Sequence, residues 1–288
     1  MNINYFVKSH GLGNEYVVLN ADNIGFRLTE RAIGRLCDVH FGVGSDGILL
    51  KVKSTAADFG LRIFNPDGSE AEKSGNGLRI FCKYLYDYGF TDKDTFTVET
   101  KGGIVRARIM ETSGGKAKRI AVDMGRAIFA SKEIPANFST DEVMGAHITV
   151  SGRDYAVNCV SVGNPHCVII KDRLDINEIK TYGREIEHYP AFPNRINVQF
   201  TKVLSRKEAE ILIWERGAGF TLASGSSSCA VASILRKKDL VDDEITIKMP
   251  GGQLQIHIDN QWNIRMTGPA RQIAEGILSD ELIEDFSL

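Results

Sequence analysis

Short runs of β-branched and aromatic residues with period-two alternation predict strands over most of this chain, with only a few stretches of helical period between them. Residues 6–21 read as strand, turn, strand, turning at His10-Gly11-Leu12-Gly13-Asn14-Glu15. Thr29 opens a helical stretch over 30–39, with Ala32, Ile33 and Leu36 on one face. The run from His40 to Gly47 is too glycine-rich for regular structure, and strands follow at 48–52 and 59–65. Over 78–88 the apolar residues Leu78, Ile80, Phe81, Cys82, Tyr84, Leu85 and Tyr88 cover most of a helix, so that helix is predicted to be buried, with Gly89 as its stop. Strands at 95–100 and 104–110 close the first half.

The second half begins near Asp123 and has the same grammar. Strands are predicted at 155–162, 167–170, 198–203, 209–215, 245–249, 254–258 and 262–267, and a helix at 229–237 buries Ala230, Val231, Ile234 and Leu235. The acidic tail reads as a surface end. Shifting the chain by about 150 positions brings the halves into register, the signature of an internal duplication. Gly13-Asn14 falls on Gly163-Asn164, Val18-Leu19 on Val168-Ile169, Ile63-Phe64-Asn65 on Ile213-Trp214-Glu215, and Ser74-Gly75 on Ser224-Gly225. With one residue of slippage, Asp94, Val98 and Gly102-Gly103 fall on Asp243, Ile247 and Gly251-Gly252.

The predicted fold is therefore α/β of the α+β kind. Two pseudo-symmetric domains, 1–122 with 266–288 returning to it and 123–265, each wrap a curved, mostly antiparallel sheet round one apolar helix. Ser74 and Ser224 stand where those helices would be capped, and Gly75-Asn76 and Gly225-Ser226 follow at the first turn. First-turn N–H groups have no helical partner and lie at the positive end of the dipole, so each mouth is an anion site. Two such mouths facing each other across an interdomain cleft would hold a carboxylate. Side chains approaching it from opposite sides are what inversion at a carbon needs, one removing a proton and the other returning one.

Charge and composition narrow the function classes. A net charge of −2 over 288 residues offers no basic field for nucleic acid. The N-terminus lacks the apolar run of a signal peptide, and no window is apolar enough for a membrane span. Cys37, Cys82, Cys159, Cys167 and Cys229 are odd in number and irregularly spaced, and read as reduced, buried cysteines of a cytoplasmic protein. No Cys or His spacing calls for a metal, and no cofactor is indicated.

The segments His10-Gly11-Leu12-Gly13-Asn14, Phe41 to Gly47, Phe64-Asn65-Pro66-Asp67-Gly68-Ser69-Glu70, Gly75-Asn76-Gly77-Leu78-Arg79, Gly163-Asn164-Pro165-His166, Arg195-Ile196-Asn197, Glu215-Arg216-Gly217-Ala218-Gly219 and Gly268-Pro269-Ala270 run through nearly the whole chain. In that order they resemble the diaminopimelate epimerases, among the amino-acid racemases and epimerases that work without pyridoxal phosphate. The resemblance implies an isomerase of lysine biosynthesis with a small amino-acid substrate, no cofactor and often a homodimeric assembly. It implies that Asn14, Asn65, Asn164, Asn197 and Arg216 bind the polar ends of the substrate. By the same resemblance Gly75-Asn76 and Gly225-Ser226 hold the reacting carboxylate by backbone N–H groups, and His166 and Glu215 assist proton transfer.

One departure bears on the chemistry. The family's two proton-transfer groups are cysteines, and here those positions are Ser74 and Ser224. A thiol pKa of about 8.5 falls further at a helix N-terminus. A serine hydroxyl becomes a base only through a neighbour. Phe220 and Ser227 also depart from the family's pattern, where a polar or acidic residue and a glycine are usual. Three readings follow: an impaired or altered epimerase using Ser74, Ser224, His166 and Glu215; a one-sided isomerase or dehydratase of an amino or hydroxy acid with His166 or Glu215 as base; and a catalytically silent ligand-binding homologue.

Overall fold

A computed structural model describes residues 2–286. The chain divides into two compact units: one runs to Val122 and takes back the chain from Gly268, and the other is Asp123–Thr267. The first contains β1 (Tyr5–Gly11), β2 (Asn14–Asn20), α1 (Glu30–Cys37), β3 (Ile48–Val52), β4 (Phe59–Phe64), β5 (Glu70–Ala71), α2 (Gly75–Asp87), β6 (Thr95–Thr100), β7 (Gly103–Ser113) and most of β8 (Lys116–Arg126). The second contains β9 (Met144–Val150), β10 (Arg153–Ser161), β11 (Pro165–Ile170), α3 (Ile176–Glu187), β12 (Asn197–Ser205), β13 (Glu208–Glu215), β14 (Gly219–Thr221), α4 (Gly225–Lys237), β15 (Glu244–Met249), β16 (Gly252–Ile258) and most of β17 (Asn263–Pro269). β18 (Arg271–Ile277) and the short α5 (Asp280–Glu284) complete the first unit.

From β2 and β11 onward the repeat seen in the sequence is reproduced in the sheet ladders, whereas the hairpins before them differ in register by one residue, Val7 pairing with Val18 but Val157 with Ile169. β2 runs parallel to β3 with Val17 opposite Ile48, and β11 parallel to β12 with Cys167 opposite Val198. β3 is antiparallel to β4 with Ile48 opposite Phe64, and β12 to β13 with Val198 opposite Trp214. The short β5 pairs Phe64 with Glu70, and β14 pairs Trp214 with Phe220. A parallel return strand then sits on the far edge of β4 and β13, pairing Phe59 with Val98 and Ala209 with Ile247. A one-residue slip would turn every side chain to the other face of its sheet, so equal register means equal burial pattern.

Each unit centres on one helix buried nearly all round. On α2, Leu78, Ile80, Phe81, Cys82, Tyr84 and Leu85 are buried, and the helix packs on β1, β2 and β7. On α4 the buried run is Cys229, Ala230, Val231, Ala232, Ser233, Ile234 and Leu235, against β10 to β13, β15 and β16. Each fully buried Leu, Ile or Phe contributes about 1.5–3 kcal/mol. A second helix covers the other sheet face in each unit. α1 packs on Val17, Leu19, Ile48 and Leu50, and α3 on the matching Cys167, Ile169, Val198 and Phe200.

The structure adds elements that the sequence pattern does not announce. α3 carries few apolar residues, and its buried face is only Ile179, Gly183, Ile186 and Glu187. A Cβ at Gly183 would stand 2.7 Å from the Trp214 ring, so the close approach of helix and strand requires glycine there. The tail is not a surface end: β18 pairs antiparallel with β1, and Leu278 and Phe286 are buried in the α1 core. Its polar strand surface hides that packing from a hydrophobic count.

Candidate active site

In the first unit Ser74 is the N-cap of α2, and its hydroxyl accepts the Gly77 N–H at 3.0 Å. The first-turn donors of Gly75 and Asn76 remain at the mouth by the geometry of any helix start. The Tyr16 phenol lies 3.2 Å from Ser74 Oγ. Asn76 is tied on both sides: its Nδ2 donates to Asn14 Oδ1 at 3.1 Å, and its Oδ1 accepts from the buried Arg79 Nη2 at 2.9 Å. Asn14 in turn donates to Asp46 Oδ2 at 2.8 Å. Asn65 is exposed at the end of β4, with its amide nitrogen on Ser69 Oγ at 3.0 Å.

In the second unit Ser224 caps α4 and accepts the Ser227 N–H at a longer 3.4 Å. Its hydroxyl also meets Ser226 Oγ at 3.4 Å. Glu215, half-buried at the end of β13, stands beside it. Burial pushes the Glu215 carboxyl above the usual carboxylate range, and the Ser224 and Thr221 hydroxyls pull it back only in part. The Thr221 hydroxyl completes no hydrogen bond of ordinary geometry. His166 is fully buried on β11, and its Nε2 is 2.9 Å from Asn164 Oδ1. Burial lowers its pKa to about 3, so the imidazole is neutral at physiological pH.

Asn197 is largely consumed by the backbone. Its oxygen accepts the Arg216 N–H at 3.0 Å and its nitrogen donates to Pro165 O at 2.9 Å, which leaves one N–H and one oxygen lone pair for anything else. The Arg216 side chain is exposed and spends one nitrogen on Asn194 O at 3.1 Å. Of the sequence-chosen residues, Asn14 is bonded to Asn76 at the first mouth and Glu215 meets Ser224 at the second, while Asn65, Asn164, Asn197 and the Arg216 side chain bond to their own loops and strands. Among the described residues, no group of three or more His, Cys, Asp or Glu side chains converges as a metal site would require, and all five cysteines are free and buried.

Sequence reasoning overlooked four supporting residues. Tyr16 contacts Ser74, and Asp46 holds Asn14 and the Glu15 N–H. Glu187 on α3 accepts from Trp214 Nε1 at 2.8 Å and Gly217 N at 3.0 Å, fixing the loop that carries Glu215 and Arg216. Gln199 is fully buried and donates to Ser227 Oγ at 3.0 Å. The repeat could have flagged two of these, because Tyr16 matches His166 and Leu49 matches Gln199 in the register above.

Residues 6–130 and 158–273 match the family described as diaminopimelate epimerase. The chain belongs to the diaminopimelate epimerase family. Among curated relatives, "diaminopimelate epimerase 2" of Nostoc sp. is 48% identical over 278 residues, covering 96% of each chain. The diaminopimelate epimerase of Acetivibrio thermocellus is 40% identical, covering 94% of this chain and 97% of its own. Solved structures share the fold at low identity. A hydroxyproline epimerase from Agrobacterium vitis, solved with trans-4-OH-L-proline bound, superposes with a TM-score of 0.69 at 12% identity, covering 94% of this chain and 90% of that one. A PhzF-family phenazine biosynthesis protein from Bacillus anthracis gives 0.67 at 19% identity, covering 97% and 100%. The family is one of isomerases, and the sheet-dominated two-domain fold is the one its sequence predicts.

Proposed function

We propose that this chain is a cofactor-independent epimerase of diaminopimelate or a close amino-acid relative, with proton removal concentrated at the second helix mouth. The reading is carried by one observation: the Ser224 hydroxyl that caps a buried helix stands beside a carboxyl whose pKa burial has raised. A carboxylate so tuned is a better base than an ordinary surface glutamate, because its conjugate acid is stronger-held at working pH. The first-turn N–H groups of Gly225 and Ser226 bind the α-carboxylate and stabilise the charge that develops as Cα loses its proton. Gly75 and Asn76 do the same at the other mouth. Asn14, Asn65, Asn164, Asn197 and Arg216 bind the remaining polar ends.

Inversion needs a second group that returns a proton to the other face. We assign this to Ser74, with the Tyr16 phenol as its proton source. The assignment makes the two directions unequal. Glu215 takes a proton readily, whereas the position matching it in the first unit is Asn65, and a carboxamide is no base. The same asymmetry favours one-sided proton exchange as the second reading. The test is solvent deuterium uptake at Cα of L,L- and meso-diaminopimelate, followed by NMR together with the isomer ratio. Uptake with inversion supports the epimerase, and uptake with retention supports one-sided exchange. Absence of uptake with either isomer overturns both and leaves a silent binding homologue.

A further inference from the structure

Two buried polar atoms in the second unit complete no hydrogen bond of ordinary geometry, His166 Nδ1 and Gln199 Oε1, although the two side chains stand close enough to interact. They belong to neighbouring side chains. His166 is opposite Asn197 in the parallel β11–β12 ladder, and Gln199, two residues on, faces the same side. Both side chains are fully buried, where an unmade hydrogen bond is destabilising because no water can replace it. With Asn164 Oδ1 accepting from Nε2–H, the neutral imidazole keeps a lone pair on Nδ1, which needs a donor. The Gln199 oxygen beside it is another acceptor, while the Gln199 nitrogen is turned to Ser227 Oγ, a hydroxyl equally able to donate.

Half a turn of the Gln199 amide removes both vacancies, since its oxygen and nitrogen have nearly the same shape. We infer that Gln199 donates its Nε2–H to His166 Nδ1 and accepts from Ser227 Oγ–H, and that this chain from the α4 mouth holds His166 as the neutral Nε2–H tautomer. His166 is then a positioning residue. Its Nε2 already carries a proton, so it takes none from a substrate, and its hydrogen bond fixes Asn164 with the amide N–H groups outward. The alternative network turns Asn164 instead, places the proton on Nδ1, and presents the Asn164 oxygen outward. Rejecting that alternative rests on the proposed carboxylate ligand, which an outward acceptor would repel. The tautomer can be measured without turnover, so its failure is distinct from failure of the epimerase reading.

The experiment is nitrogen–proton correlation NMR on the full chain labelled with 15N in its imidazoles, with His166 identified by its loss in His166→Gln. The expected signature is one unprotonated Nδ1 and one protonated Nε2 near neutral pH. Gln199→Glu removes the donor and should move the proton to Nδ1. Gln199→Leu, which copies Leu49 at the matching position, should give a mixture of tautomers. A wild-type signal from protonated Nδ1 overturns the inference whether or not the variants fold. So does a folded Gln199→Glu protein with an unchanged tautomer.

Discussion

At matching places round the two central helices stand Tyr16 and His166, Leu49 and Gln199, Asn65 and Glu215, and Gly77 and Ser227, while Ser74 and Ser224 are alike. From β2 and β11 onward the repeat keeps its strand register, and Asn14 and Asn164 also match, yet these four neighbours of the mouths have changed class. The first unit surrounds its serine with a phenol, an aliphatic residue and carboxamides. A Cβ at Gly77 would be 3.0 Å from Leu49 Cδ2 and 3.2 Å from Ser74, so a side chain there requires these neighbours to shift. The second unit has a carboxyl, an imidazole and a buried amide, and its Ser227 fits because Gln199 meets it with a hydrogen bond. Strand pairing tolerates this divergence because ladder bonds use backbone atoms. The chemistry does not, because proton transfer depends on which titratable group lies beside each hydroxyl.

The largest expected effect comes from placing a thiol at both mouths, at a pair of positions where they are already alike. Ser74→Cys with Ser224→Cys should raise the epimerisation rate by on the order of a hundredfold or more, the usual scale of a positioned acid or base. The isomer ratio and deuterium uptake measure it, and an unchanged rate would mean that the surrounding pocket is not that of an epimerase. Next in size, Glu215→Gln should slow deuterium uptake by about a hundredfold. Tyr16→Phe should slow proton return by only about tenfold, the scale of one lost hydrogen bond. Equal losses in the two variants would erase the asymmetry.

The pH dependence of stability distinguishes the two titratable groups of the second unit. The Glu215 pKa is raised by burial, so its contribution is fully present below the unfolded carboxylate pKa and is lost as pH rises through the folded value. Glu215→Gln should therefore gain in Tm relative to wild type as pH rises from acid to neutral. His166 has the opposite sign: its pKa falls to about 3, so its stabilisation is complete above the unfolded value of about 6.5 and is lost as pH falls toward the folded one. Among folded His166→Gln protein, the Tm should fall less steeply over that acid window. Thermal melts across the range check both, and coincident curves would contradict the stated burial effects. The smallest effect belongs to the caps. Ser74→Ala should cost about 1 kcal/mol, as a lost N-cap does. Ser224→Ala should cost less at its cap, because its bond is 3.4 Å against 3.0 Å. An equal or larger loss at Ser224 in a denaturant titration would contradict that ranking.

Much of this could be read from residues alone. α2 announces itself because Leu78, Ile80, Phe81, Cys82, Tyr84 and Leu85 leave no polar face, and the matched spacing of Ser74-Gly75 and Ser224-Gly225 places two helix starts. α3 was not legible, since Gly183 and Glu187 are buried for reasons that lie on another strand, namely the Trp214 ring and the Gly217 N–H. The tail was misread because β18 is held to β1 by backbone bonds that composition does not record.

Local rules, periodicity and capping among them, were enough to determine most of the strands, the two buried helices, the repeat and the serines at both helix starts, but not β8, β9 or β18. Tertiary structure alone decided that Ser74 meets a phenol and Ser224 a carboxyl, that His166 is buried and neutral, and that Gln199 reaches Ser227. The reason is physical. Periodicity and capping act over a few residues, whereas a pKa or a hydrogen bond is set by whichever groups the fold brings within about 3 Å from distant parts of the chain.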